Sequence, residues 1–277
     1  MRLPLPLSSA LVPAEPRVYD YLLGGKHNYQ LDRVLGDRLV STADWLPRAA
    51  QLNRAFGSIV VAHLARSGIH QFLDLGCGYP APTFLAVPNP HEAAARIRPD
   101  ARIVHVDHDP VVAAHAVAFL SGRHDEHGVV CGDIRKIGDV LADAEARKLD
   151  RDQRTGVLLN DVLPWIPDDA EAHQLLADLR DVLPAGSAIS ITHATADMRP
   201  AEARELAALY EQHGLAFRPR SYAEVRALLD PWPLAEPGLV PTGRWQAGPL
   251  HAQLPDAQSG AYAAVVLHPD QPRGNHA

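Results

Sequence analysis

An α/β fold wound around a mostly parallel sheet is the class this sequence predicts, and three observations carry the prediction. Five short apolar runs, "HQFLDL", "ARIVHVD", "GVVCGD", "GVLLND" and "SAISITH", alternate with four amphipathic stretches, "NPHEAAARI", "DPVVAAHAVAFL", "KIGDVLADAEAR" and "DDAEAHQLLADLRDVL". Strand-length runs alternating with helices of this kind build a doubly wound sheet with right-handed crossovers. Aspartates gather at the ends of the first three runs, where such sheets bind their ligands. The region before the first run shows helical periodicity and no strand pattern.

Taken in order, residues 1–15 read as a Pro-rich, loose leader. From Pro16 to about Arg66 the chain is helical, with Leu31, Val34, Leu35 and Leu39 at helical spacing and Gly68 as the stop. The expected organisation is a helical N-terminal cap over 1–66 and a sheet domain over 67–277. After the fifth strand come two helices, "RPAEARELAALYEQHG" and "SYAEVRALL", then two further strand candidates, "GLVPTGRW" and "AYAAVVLHP". These last two are expected to pair as an antiparallel hairpin that closes the sheet.

Composition narrows the function. The 277 residues are 47% apolar and 21% charged, with a net charge of −7. No general basic surface exists, so nucleic acid is not an expected partner, although "FRPRSYAEVR" forms a local arginine patch. Cys77 and Cys131 are the only cysteines; both are expected to be buried thiols in a reducing compartment, not a disulfide or a zinc site. The prolines of "MRLPLPLSSALVPAEP" interrupt any signal-peptide apolar core, and no apolar run is long enough to span a membrane. A cytoplasmic protein is expected. Its basic residues are nearly all arginine, which points to a GC-rich genome.

The chemistry begins at "QFLDLGCGYPAP". Gly76-Cys77-Gly78-Tyr79-Pro80-Ala81 fits the glycine-x-glycine-x-x-glycine/alanine pattern of a nucleotide-binding turn after a strand. Asp74 decides between ligands. A carboxylate two residues before the first glycine is unfavourable beside a pyrophosphate, but it suits S-adenosylmethionine, which carries an ammonium and a sulfonium. Asp107 follows 29 residues after Gly78, further than the usual spacing of about twenty. The Pro-rich insertion "PAPTFLAVPNP" accounts for the excess. There Asp107 can accept hydrogen bonds from ribose hydroxyls. Asp109-Pro110 reads as a helix N-cap. Asp133 is open to two readings, an adenine contact or a capping residue. An NAD-dependent short-chain dehydrogenase is the rival, but its Tyr-x-x-x-Lys pair is absent. Leu22, Gly132 and Ala144 stand four residues before the three lysines, Lys26, Lys136 and Lys148.

With these residues in place, the chain resembles the class I S-adenosylmethionine-dependent methyltransferases. More narrowly, it is similar to the actinobacterial "S-adenosyl methyltransferase" family, whose members mostly lack an assigned substrate. The resemblance runs from about Pro16 to the end and rests on "RVYDYLLGGKHNY", "NRAF", "QFLDLGCGYP", "HVDHDP", "ITHAT" and "EPGLVP". It implies a Rossmann-like seven-stranded sheet of order 3-2-1-4-5-7-6 with the last strand antiparallel. It also implies cofactor contacts from Asp74, Gly76, Gly78, Asp107 and Asp133. To these we add His108, Ile134, Asn160 and Asp161 as neighbours at the same strand tips. Two departures stand out. The loop "YPAPTFLAVPNPHE" is longer than usual, and Pro164 occupies a position where family members often carry histidine.

Methyl transfer from the sulfonium to an acceptor needs alignment, exclusion of water and, for some acceptors, a base. Asn160-Asp161 holds the place of the amino-methyltransferase Asn-Pro-Pro-aromatic motif, but "NDVLPW" does not match it. Asp161 faces the methionine portion of the cofactor or caps a turn. His193, at the end of the fifth strand, is either a base in the cleft or a structural histidine. Strand alternation separates His105 and Asp107 from His108, so no metal is expected. Tyr19, Tyr21, Lys26, His27, Asn28 and Tyr29 crowd a Gly24-Gly25 break. We read them as a lid over cofactor and acceptor, with Arg17 and Asn53-Arg54 as anchors, against the alternative of a helix packed on the core. The expected function is methylation of a small molecule by a monomer or homodimer. The alternatives are a non-catalytic binder of S-adenosylmethionine or its product, and an NAD oxidoreductase.

Overall fold

Apolar residues in the five runs alternate between two buried faces, and the strands they form are hydrophobic on both. The computed structural model describes residues 11–120, 127–245 and 255–269; the first ten residues of the leader read over 1–15, and the turn-rich stretch over 246–254, lie outside them. The strands are β1 (Gln71–Leu75), β2 (Arg102–Asp107), β3 (His127–Cys131), β4 (Thr155–Asn160), β5 (Ala188–Ala194), β6 (Val240–Pro241) and β7 (Ala261–Leu267). They form one sheet of order β3-β2-β1-β4-β5-β7-β6. β1 to β5 are parallel, whereas β7 runs antiparallel to β5 and to β6, with Val240 opposite Ala263. The hairpin expected from the last two runs is therefore present.

The helices are α1 (Glu15–Leu22), α2 (Gln30–Thr42), α3 (Leu46–Arg66), α4 (Pro90–Ala95), α5 (Pro110–Phe119), α6 (Ile137–Arg147), α7 (Asp169–Val182), α8 (Pro200–Glu211) and α9 (Tyr222–Leu229). One sheet face presents Phe72, Ile103 and Leu158 to Phe56, Val60, Val61 and Leu64 of α3. The other presents Leu73, Leu75, Val104, Val106, Val157 and Leu159 to Leu175, Leu176 and Leu179 of α7 and Val225 and Leu228 of α9. A third cluster joins Val18, Leu35 and Leu39 of the N-terminal helices to Leu206, Leu209 and Tyr210 of α8. Each fully buried aliphatic side chain in these layers is worth about 1.5–3 kcal/mol of transfer free energy.

Ends of elements follow local chemistry. Asp109 caps α5 by accepting from the Val111 amide at 2.8 Å, with Pro110 in the first turn. Gly68 leaves α3 with a positive φ of 93°. Cys77 is buried, but Cys131 is exposed, contrary to expectation. The reason is topological, because β3 is the edge strand and Cys131 stands at its tip.

Candidate functional site

At the end of β1 the backbone turns through Gly76 and Gly78, with φ of 71° and 60°. A β-carbon on Gly76 would lie 2.7 Å from Val162 Cγ2, so the turn requires glycine there on both counts. The amides of this turn are already committed. Gly76 and Cys77 donate to Val106 O at 2.8 and 3.0 Å, and Gly78 donates to Asp107 Oδ2 at 3.0 Å. The other oxygen of Asp107 accepts from the Asp109 amide at 3.0 Å. Burial raises Asp107 above the usual carboxylate range, and these two amides oppose the shift.

Above the turn lies a cleft of about 260 Å³ at the C-terminal ends of the parallel strands. Asp74, Gly76, Gly78, Asp107, His108, Asp133, Ile134, Asn160 and Asp161 all line it, which brings together every residue expected at the cofactor. Asp74 has two exposures. Behind it, His105 Nδ1 lies 2.9 Å from Asp74 Oδ2, joining paired positions of β1 and β2, while the residue also borders the cleft. Asp133 caps the turn at Ile134–Lys136 and is gripped by Arg135, whose Nε and Nη2 donate to it at 3.0 and 2.7 Å. Those bonds hold its carboxyl below the usual range. Its side chain thus does the capping, at a position that still borders the cleft. His108 is exposed at the rim, 3.9 Å from Glu15 and 3.8 Å from Asp107. Asn160 Oδ1 accepts from Ser190 Oγ at 3.1 Å.

The cap supplies the opposite wall. Arg54 donates to Cys77 O and Tyr79 O at 3.3 and 3.0 Å and lies 5.3 Å from the Tyr19 ring. Tyr19 donates its hydroxyl to Ala50 O at 3.2 Å and accepts from Asn53 Nδ2 at 2.7 Å. Asn53 in turn accepts from Thr192 Oγ1 at 2.5 Å, which ties α3 to β5. Arg17 pairs with Asp32 at 2.8 Å, both fully buried. Behind Tyr19, a second chamber of about 60 Å³ shares Tyr19, Asn53, Asp161 and Trp165 with the cleft.

Of the six residues read as a lid, Tyr19 alone borders either cavity. Tyr21 packs over Gly36, where a β-carbon would come within 2.2 Å of its ring, and donates to Asp37 at 2.5 Å. Asp20 gathers the loop by accepting from the His27 amide at 2.7 Å and Asn28 Nδ2 at 2.8 Å. His27 stacks on Tyr79 with ring centroids 5.2 Å apart, Tyr29 lies under Arg17 at 4.9 Å, and Lys26 is exposed. Gly25 is needed because a β-carbon would strike the Asp20 carboxylate. The segment is a stapled corner.

His193 is also placed away from the cleft. It is fully buried, with Nδ1 donating to Ala194 O at 2.8 Å and Nε2 accepting from Arg220 Nη1 at 3.0 Å. Burial drives it down to about 3, so it stays neutral and its lone pair is already used. Strand alternation sends Thr192 toward α3 and His193 to the other face. The residue with the opposite disposition is Asp161. It adopts a left-handed conformation (φ 61°), donates its amide to Thr192 O at 3.0 Å, and borders both cavities. Among the described residues no group hydrogen-bonds its carboxylate. Desolvation pushes it up to about 7, against the pull of Arg54.

Fold and site define a Rossmann-like protein with an acid-rimmed cleft above a glycine turn whose amides are internally bonded. Residues 8–269 match the family described as S-adenosyl methyltransferase, and the chain belongs to that family. Two actinobacterial proteins of known structure are similar along nearly their whole length. A DUF574 family protein from Streptomyces avermitilis is 29% identical, covers 94% of this chain and 99% of its own, and superposes with a TM-score of 0.87. A methyltransferase-like protein from Thermobifida fusca is 30% identical, covers 97% and 100%, and superposes with a TM-score of 0.86. No curated protein matches. The cofactor of the family is S-adenosylmethionine. The residues present fit it, since the glycine-turn amides are spent on Val106 and Asp107 and none of the three is left for a phosphate.

Proposed function

We propose that this protein transfers a methyl group from S-adenosylmethionine to a small-molecule acceptor. When bound, that cofactor supplies a methyl group on a positively charged sulfur. Asp74 and Glu15 are the carboxylates assigned to its ammonium, and Arg54 is the cation assigned to its carboxylate. Asp107 is assigned to the ribose hydroxyls, with Asp133 and Ile134 at the adenine, His108 at the rim, and Asn160 and Asp161 toward the methionine portion. The glycine turn supplies close backbone approach. The observation that carries the reading is the internal satisfaction of that turn beneath a ring of carboxylates, which favours a cationic ligand over a diphosphate. The adjoining chamber gives an acceptor a place beside the donor, and its volume of about 60 Å³ favours a small molecule.

Titration calorimetry with S-adenosylmethionine, S-adenosylhomocysteine and NAD tests this. Saturable binding of the first two and none of the third is expected. Replacing Asp107 by alanine removes charged hydrogen bonds worth about 1.5–3 kcal/mol and should weaken S-adenosylhomocysteine by at least roughly tenfold. Binding of NAD alone would overturn the proposal.

A further inference from the structure

The second chamber has an aromatic wall. Trp45, Trp165, Tyr210 and Phe217 line it, and three of them pack edge to face or tilted: Trp165 to Tyr210 at 5.1 Å, Trp165 to Phe217 at 4.8 Å and Tyr210 to Phe217 at 4.9 Å. No lysine, arginine or histidine is among its lining residues, and Asp161 is their one carboxylate. The volume of about 60 Å³ corresponds to roughly four water positions at ~15 Å³ each. That is the scale of one six-membered ring.

We propose that this chamber takes a single-ring aromatic acceptor carrying a hydroxyl group, with Asp161 accepting the hydroxyl proton at the seam between chamber and cleft. The inference rests on the methyl-transfer reading above and names its substrate class. Aromatic walls favour a flat ring through offset and edge-to-face contacts. A phosphorylated or carboxylated acceptor would find no cation among the lining residues. An ammonium would be held protonated by an ionised Asp161 and so kept from acting as a nucleophile. A hydroxyl meets both conditions, because it enters neutral and needs a base only to react.

Asp161 is suited to that step by position. It stands in the lining shared by the two cavities, its carboxylate has no hydrogen-bond partner among the described residues, and its left-handed backbone turns it out of the sheet. The titratable and charged groups that act on it are Tyr19 of α1, Arg54 of α3 and Tyr210 of α8. Both tyrosines are pushed far up by burial and stay neutral. In the step, the acceptor O–H bond breaks and its proton passes to the Asp161 carboxylate. The oxygen lone pair forms the new C–O bond as the C–S bond breaks and its electron pair returns to sulfur, leaving a neutral thioether. Asp161 then releases the proton to solvent.

The test uses the full chain and 4-nitrophenol as probe, read by quenching of Trp45 and Trp165 emission, with 4-nitroanisole and benzylamine as counter-probes. Calorimetry with S-adenosylhomocysteine is run on every variant. We expect saturable quenching by 4-nitrophenol and at least fivefold weaker binding of 4-nitroanisole, a difference that Asp161→Asn erases. Ala49→Phe, or Ala203→Phe from the facing wall, should weaken the probe at least tenfold while S-adenosylhomocysteine still binds. In a carboxyl NMR titration the signal lost in Asp161→Asn should have its midpoint near pH 7. Absence of saturable quenching, insensitivity to both phenylalanine variants, an unshifted Asp161 titration, or tighter binding of benzylamine would each overturn the chamber assignment. If S-adenosylhomocysteine binds throughout, the methyl-transfer reading survives that result; if it never binds, both fall.

Discussion

His193 and Asp161 sit at neighbouring strand tips but in opposite surroundings, the first buried behind the sheet and the second bordering both cavities. A histidine ending a strand invites the role of base, but His193 faces the layer behind the sheet, where Arg220 already holds its lone pair. Its folded pKa of about 3 lies below the ordinary 6.5, so protonation favours the unfolded chain. The stabilisation is complete above about pH 6.5 and declines as pH falls toward 3, by roughly 3 kcal/mol over the first two pH units. Chemical denaturation at about pH 7 and pH 4.5 should show this loss, and His193→Gln should flatten it. Gly76→Ala should destabilise by at least about 1 kcal/mol, read as a lower denaturation midpoint, because φ is positive and Val162 leaves no room. The placing of the aspartates at the strand tips was legible because each closes an apolar run in a local pattern. The side to which His193 points was not, since one residue of register reverses it.

At the scale of elements, the N-terminal corner shows what holds a crowded motif in place. Tyrosines around a glycine pair suggest a hinged cover, but the glycines are there to clear Asp20 and Phe84. Asp32 of α2 accepts from the Ala14 amide, Arg17 Nε and the Tyr29 amide, at 3.0, 2.8 and 2.7 Å. Removing one partner of a buried pair of this kind costs about 3–5 kcal/mol. Asp32→Ala should therefore raise hydrogen exchange across residues 14–29 well before that of β1, β2 and β4. Equal protection in both regions would show that the corner draws its order from elsewhere. The alternation of strands and helices was plain in the sequence because its periods are local. The contacts of Arg54 with the glycine turn, and the aromatic quartet from the N-cap of α3, from α8 and from the loops after β4 and α8, were not, because they join segments far apart in the chain.

For the whole molecule, ligand binding and stability are one equilibrium. At a hundredfold excess over its dissociation constant, S-adenosylhomocysteine should add about 2.7 kcal/mol, raising the melting temperature by roughly 5–10 °C. NAD at the same concentration should leave it unchanged. Among the described residues no helix is long and apolar enough to cross a membrane. The two cavities also divide the chain unequally. Every residue bordering the cleft falls between Glu15 and Ile166, whereas the chamber also draws on segments from Ala194 to Ala261. On the proposed reading, about half of the acceptor chamber's lining comes from the last third of the chain, where the donor cleft has none, so that drift there can retailor what is admitted while the machinery for the common reagent stays intact.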